Sequence, residues 1–310
     1  MIDVRHLVFE YPGVCALDDV SLTIRRGDVT ALVGPNGAGK TTLMRCLAAL
    51  DQPISGSITI DGLDVLAHPR DCHRKVGYVS DFFGLFQELT VGQSLHYLAR
   101  AHGLPESRVT RAVGLAAKRL QIDDRLAQKT KTLSRGLSQR LAIAQAIVHQ
   151  PQVLLLDEPA SGLDPEARKH LSDLFLTLRA EGITLVVSSH ILAELEEYAT
   201  TMVIVRGGKI VDHQALGLRD EATVMIGLTL SEPVERLAER LGTVPGISQV
   251  TGTDLAVSFR FAAAADAQRA LLQTLIGDQT LPVCGFVAER TNLQDAYLHS
   301  MGTTVGGDQP

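Results

Sequence analysis

Gly34, Gly39, Lys40 and Thr41 stand at the spacing G-x-x-x-x-G-K-[ST], inside the stretch GPNGAGKTT. Glycines at those positions let the backbone curl so that successive N–H groups face one phosphate. A helix that follows adds the positive end of its dipole. A lysine there can bridge the β- and γ-phosphates of a nucleotide, and the Thr41 hydroxyl can bind Mg2+. The candidate phosphate-binding residues are Gly34, Pro35, Asn36, Gly37, Ala38, Gly39, Lys40, Thr41 and Thr42. A second set lies at 153–158. Four aliphatic residues, Val153 to Leu156, lead to Asp157 and Glu158. At the carboxyl end of a buried strand, Asp157 is placed for the metal and Glu158 for polarising an attacking water. Together the two sets point to ATP with Mg2+, and to hydrolysis.

These residues need elements to hold them. VTALVG, at 29–34, reads as a strand running straight into the glycine loop, and TTLMRCLAAL after it as a helix with Leu43, Leu47 and Leu50 on one face. Thr90 and Gln93 have capping-box spacing ahead of SLHYLARAHG. SRVTRAVGLAAKRL and SQRLAIAQAIVH share the helical period. PQVLLLDEP and GITLVVSSH are short apolar runs, as expected of strands buried in a parallel sheet. Asp164 followed by Pro165 reads as an N-cap and first residue of a helix. MVIVRGGKIVDH predicts a hairpin turned at Gly207–Gly208. Strands alternating with helices imply an α/β fold with a parallel sheet, ending near residue 218. Residues 219–301 predict the order β-α-β-β-α-β, a small α+β unit of ferredoxin-like type, with PVERLAERLG as its first helix and NLQDAYLHS as a last short one. Residues 302–310 predict a loose tail.

Composition narrows the function classes. The chain has 310 residues, 45% of them hydrophobic, with a net charge of -6. That acidic balance argues against broad non-specific nucleic-acid binding, and no nucleic-acid partner is expected. Cys15, Cys46, Cys72 and Cys284 form no C-x-x-C pair, and free thiols in a reducing cytoplasm are expected. The first residues lack the basic-then-apolar pattern of a secretion signal, and no apolar run is long enough to span a membrane. Any membrane role therefore needs a partner.

LSRGLSQR at 133–140 stands just before a predicted helix. With GPNGAGKTT, LLLDEP, SGLD, an aromatic residue near the amino terminus and a histidine after a strand, it resembles the ATP-binding-cassette (ABC) family across about 215 residues. The resemblance implies a P-loop ATPase fold with antiparallel β and α-helical subdomains. It implies that Tyr11 stacks on adenine. Ser134 and Gly136 match the signature loop, which in this family completes the ATP site of an opposing subunit. Asp164 matches the loop that reaches across the dimer, and His190 the switch histidine at the γ-phosphate. Asp81 stands where the family usually has a glutamine that touches the metal site and couples it to a membrane subunit. Aspartate is shorter and charged, and Gln87 is not an aligned substitute. Arg135 and Leu137 replace the more usual glycine and glutamine of the signature. The implied catalytic residues are Glu158 and His190, and the implied metal ligands Thr41, Asp157 and Asp81. The implied partners are a multi-span membrane permease and a second cassette. The chain would then lie in the cytoplasm, peripheral to the membrane. Its single cassette, the FGLFQELTV stretch and the trailing unit resemble the ATPases of ABC-2 type exporters. The alternative is a soluble ABC ATPase acting on nucleic acid or ribosomes. Those usually carry two cassettes or a long coiled-coil insertion, and neither is visible here.

Overall fold

The computed structural model describes residues 1–82, 84–189, 191–216, 223–262, 264–278 and 280–289. The chain divides into two compact units, Met1–Leu216 and Gly217–Pro310. The first begins with β1 (Ile2–Tyr11), β2 (Val14–Ile24), β3 (Val29–Val33), α1 (Lys40–Leu47), β4 (Ser55–Ile60) and β5 (Leu63–Asp64). It continues through α2 (Pro69–Lys75), β6 (Val76–Val79), α3 (Val91–Ala101), α4 (Glu106–Arg119) and α5 (Arg135–Ile147). It closes with β7 (Val153–Asp157), α6 (Pro165–Ala180), β8 (Thr184–Ser188), α7 (Leu192–Leu195), β9 (Thr201–Arg206) and β10 (Lys209–Ala215).

Two sheets form this unit. One is antiparallel, in the order β2-β1-β4-β5. The other has the order β10-β9-β3-β8-β7-β6 and is parallel except for β10, which closes its edge as a hairpin on β9. Every residue of β3, β7 and β8 is buried, which explains why these strands read as unbroken apolar runs rather than alternating ones. Leu7 and Leu17 from the first sheet, Leu43 and Leu47 from α1, and Leu155 and Val186 from the second share one core. α1 is shorter than its apolar pattern predicts. It ends at Leu47, Ala49 turns back at φ 55°, and Leu50 leaves the buried face at 47% exposure.

Local signals set the helix starts. The Thr90 hydroxyl accepts from the Gln93 amide while the Gln93 side chain accepts from the Thr90 amide, a complete capping box for α3. Asp164 caps α6, with Pro165 at the first helical position.

The second unit contains β11 (Thr223–Leu230), α8 (Leu237–Gly242), β12 (Ser248–Gly252), β13 (Ala256–Ala262), α9 (Ala265–Gly277) and β14 (Val283–Glu289). Its sheet runs β12-β13-β11-β14 with every neighbour antiparallel, the arrangement of a split β-α-β pair. Ile226, Leu228 and Phe259 pack with Leu237 and Leu241 of α8 and Leu271 and Leu275 of α9. α8 begins later than its sequence pattern predicts, because Arg236 adopts the left-handed conformation at φ 57° and interrupts the turn after Pro233. The short helix expected at NLQDAYLHS and the tail 302–310 lie outside the described residues.

Candidate nucleotide site

Three neighbouring parallel strands, β3, β8 and β7, end at the same side of the sheet. β3 delivers the loop from Gly34, β8 ends on Ser188, and β7 ends on Asp157, which stands in register with Ser188. That is where ligands sit in open α/β sheets, beyond the carboxyl ends of the strands.

The loop is shaped by close approaches that exclude side chains. A Cβ on Gly34 would lie 2.1 Å from the Val205 carbonyl oxygen. Gly39 holds φ 108°, and its Cβ would lie 2.5 Å from the Ala16 carbonyl oxygen. Only glycine fits either place. α1 starts at Lys40 without a side-chain cap, so its first amides are free of a capping side chain and face the cradle.

Lys40 is buried at 6% exposure. Its ammonium donates to the carbonyls of Gly34 at 2.7 Å and Pro35 at 3.1 Å, lying across the loop. Burial lowers its pKa, and the charges of Glu158 and Asp157 oppose that shift. Asp157 is 2% exposed and carries two bonds. The Thr41 hydroxyl donates to one of its oxygens at 2.7 Å and the Ser188 hydroxyl to the other at 2.6 Å. Ser188 also accepts the backbone N–H of Glu158 at 2.9 Å. Ser188 therefore orients the carboxylate and the next residue together. Sequence reasoning missed it; the signal was a hydroxyl at the end of an apolar strand, in the SS pair before His190. Glu158 itself takes φ 48°, a strained conformation for a non-glycine residue, and leaves the strand at a sharp angle. Tyr78 is a second residue the sequence did not single out. Burial, and then the Asp157 charge, push its hydroxyl up to about 12.

The donor set fits a magnesium-bound nucleotide. Thr41 and Asp157 supply a hydroxyl and a carboxylate already side by side, the oxygen chemistry that Mg2+ takes. Asp81 has no bond to either of them. It is exposed, in the segment after β6, and forms no side-chain hydrogen bond or ion pair among the described residues. Tyr11 lies at the end of β1, 43% exposed, with its ring edge-on to Phe9 at 4.9 Å. His190 lies outside the described residues.

The signature residues form a separate place in the same unit. Ser134 is the N-cap of α5, and its hydroxyl accepts from the Leu137 amide at a long 3.4 Å. Ser134 is exposed and Gly136 half-buried. Asp164 is exposed and accepts the Ala167 amide at 2.8 Å. Its capping role is thus present in the isolated chain.

Comparison with known proteins shows the family. The family model for ABC transporters matches residues 17–161. The ABC transporter ATP-binding protein NatA of Bacillus subtilis is 33% identical over 66% of this chain and 83% of its own length. The daunorubicin resistance ATP-binding protein DrrA3 of Streptomyces coeruleorubidus is 31% identical over 93% of this chain and 91% of its own, a match that runs on into the second unit. The dimeric structure of MJ0796, a bacterial ABC transporter cassette, superposes with a TM-score of 0.64 at 25% identity, covering 70% of this chain and 99% of that one. The chain belongs to the ATP-binding subunits of ABC transporters. It is an ATP-binding and ATP-hydrolysing subunit of such a transporter.

Proposed function

We propose that two copies of this chain, or this chain and a related cassette, close head to tail around ATP and drive export through a separate multi-span membrane protein. The observation that supports this most is the coexistence, in one unit, of a buried and internally bonded phosphate cradle with an exposed signature segment. The Nod factor export ATP-binding protein I of Cupriavidus pinatubonensis, 31% identical over 67% of this chain, supports the exporter direction, and the DrrA3 match runs on into the second unit. The second unit, about residues 219–301, acts as an accessory to the cassette.

The residues divide the work as follows. The loop from Gly34 to Thr42 holds the phosphates, and Lys40 offsets their charge. Tyr11 stacks on the adenine. Thr41 and Asp157 hold Mg2+, which neutralises charge on the phosphates when bound. Glu158 accepts a hydrogen bond from the attacking water and aligns it. The signature hydroxyl and the start of α5 from the opposing copy cover the terminal phosphate. Asp164 reaches across the interface, and His190 contacts the γ-phosphate. ATP favours the closed pair, hydrolysis releases it, and that difference in affinity is the source of work.

Exposed aromatic residues offer the membrane protein a docking surface. Phe82 is 91% exposed, and Phe86 and Tyr97 about half exposed, their rings edge-on at 5.2 Å. Exposed aromatic groups of this kind mark interaction surfaces. The chain itself has no helix, among the described residues, long and apolar enough to cross a membrane. Through its partner it would lie on the cytoplasmic face.

Two measurements test the reading. Glu158→Gln should lower ATP turnover by roughly 10²–10³-fold while Mg-ATP binding persists and a dimer accumulates. Monomers at saturating Mg-ATP would overturn the sandwich, and undiminished transport would remove Glu158 from catalysis. Tagged chain purified from solubilised membranes should bring down a stoichiometric multi-span protein. Recovery with ribosomes or DNA instead would favour the soluble alternative.

A further inference from the structure

The turn that follows Glu158 is gripped by two guanidinium groups. Successive backbone bonds fold it, from the Ser161 amide to the Glu158 carbonyl at 3.1 Å and from the Leu163 amide to the Ala160 carbonyl at 3.2 Å. The Ser161 carbonyl accepts from Arg135 Nη2 at 2.9 Å. The Leu163 carbonyl accepts from Arg168 Nε at 3.0 Å. Arg168 is anchored in turn by Glu194 of α7 at 3.2 Å. Arg135, by contrast, comes from the signature segment, as the first residue of α5.

Two features show that the Arg135 contact is built rather than incidental. A cation at the first position of a helix opposes the helix dipole, so α5 gains nothing from an arginine there. Gly162 also lies against it. That residue sits at φ 69°, and a Cβ on it would lie 2.3 Å from the Arg135 guanidinium carbon. A side chain there would displace the guanidinium, and the positive φ favours glycine in its own right.

We infer that Arg135 is a positioning residue that yokes the signature helix to the turn 158–164, so that movement of the signature segment is passed to Glu158. The inference rests on the proposed roles of Glu158 and of the signature segment. Ser161 is three residues from Glu158, and a guanidinium holds a carbonyl with a directed bond that a misplaced turn would lose. The signature segment and the general base then move as one body, although they serve different nucleotides in the proposed pair.

The test is ATP turnover by the full chain purified with its membrane partner. Arg135→Ala should lower kcat roughly tenfold with KM for ATP within about twofold, because geometry is lost and not nucleotide contact. Arg135→Lys, which keeps the charge but not the planar fork, should recover part of the rate. Gly162→Ala should lower kcat by displacing the guanidinium and by straining the backbone. In the Arg135→Ala background the first of these losses disappears, so the double variant should be faster than the product of the two single effects. Multiplicative effects would show that the two residues share no contact and overturn the inference. A raised KM with unchanged kcat would overturn it too, placing Arg135 on the nucleotide. Glu158→Gln, run alongside, separates the two levels. If it hydrolyses normally, the site reading itself fails; if it is inactive while Arg135→Ala is at the parental rate, only the yoke fails. Arg135→Lys also keeps the test valid should the alanine variant not fold.

Discussion

Lys40 and Asp157 are almost wholly buried, and the loop after β3, the start of α1 and the end of β8 supply the bonds that hold them. Ser134 and Asp164 lie in the same unit but are exposed, each with one capping bond, and that of Ser134 is long. The first pair is held entirely from within the chain. The second is placed as the proposed head-to-tail pair requires, open to another copy. Burial fixes a geometry in advance, which favours electrostatic work on a phosphate. Exposure leaves a hydroxyl and a helix start available for a ligand brought by another copy.

Removing Lys40 tests the buried side of this contrast. Lys40→Ala should lower ATP turnover by about 10²–10³-fold, since the charge acts where water is largely excluded. Steady-state phosphate release measures it, and near-parental turnover would break the assignment of the cradle.

The exposed side should respond differently. Ser134→Ala removes a helix cap, with an expected stability loss of about 1 kcal/mol or less given the 3.4 Å bond. Turnover should fall by roughly tenfold, while ATP binding by the isolated chain stays the same. Denaturant melts, ATP titration and phosphate release separate these. A loss of activity no larger than the loss of folded protein would reduce Ser134 to a cap.

A buried histidine sharpens the role of burial away from the nucleotide. His149 stacks on His102 at 3.8 Å, and its Nε2 bonds the Val76 carbonyl at 3.2 Å. Burial first, and then the neighbouring His102, lower His149 to about 3, and burial lowers His102 as well. The folded state keeps His149 neutral, whereas the unfolded chain takes up a proton below the ordinary histidine value of 6.5. Its contribution is therefore fully present above that pH and is lost progressively as pH falls towards 3. The expected loss is about 1.4 kcal/mol per pH unit within that window for one such group. Urea midpoints measured from pH 7 down to pH 5 should fall less steeply in His149→Gln. An unchanged slope would assign the acid sensitivity to other groups.

Much of the site was legible because its signals are local. The glycine spacing marks the loop, since backbone curl and phosphate contact are settled within a few residues. Asp157 and Glu158 were legible because an apolar strand ends on them. Thr90 with Gln93 and Asp164 with Pro165 marked helix starts for the same reason. The extent of α1 was not legible, because Leu50 keeps the apolar period while the backbone has already turned at Ala49. Nor was the onset of α8, where Arg236 takes a left-handed conformation that arginine does not advertise.

The amino-acid sequence by itself determined the glycine-rich loop, the acidic pair at a strand end, the signature segment and the order of elements in the second unit. These depend on residue types within a few positions of one another. Only the tertiary structure decided that Ser188 would orient Asp157 across 31 residues, that Gly34 would sit against Val205, and that Arg135 would hold the Ser161 carbonyl. Such contacts join strands and helices far apart in the chain. Their partners are chosen by sheet order and by the space that glycine leaves, which no local pattern encodes.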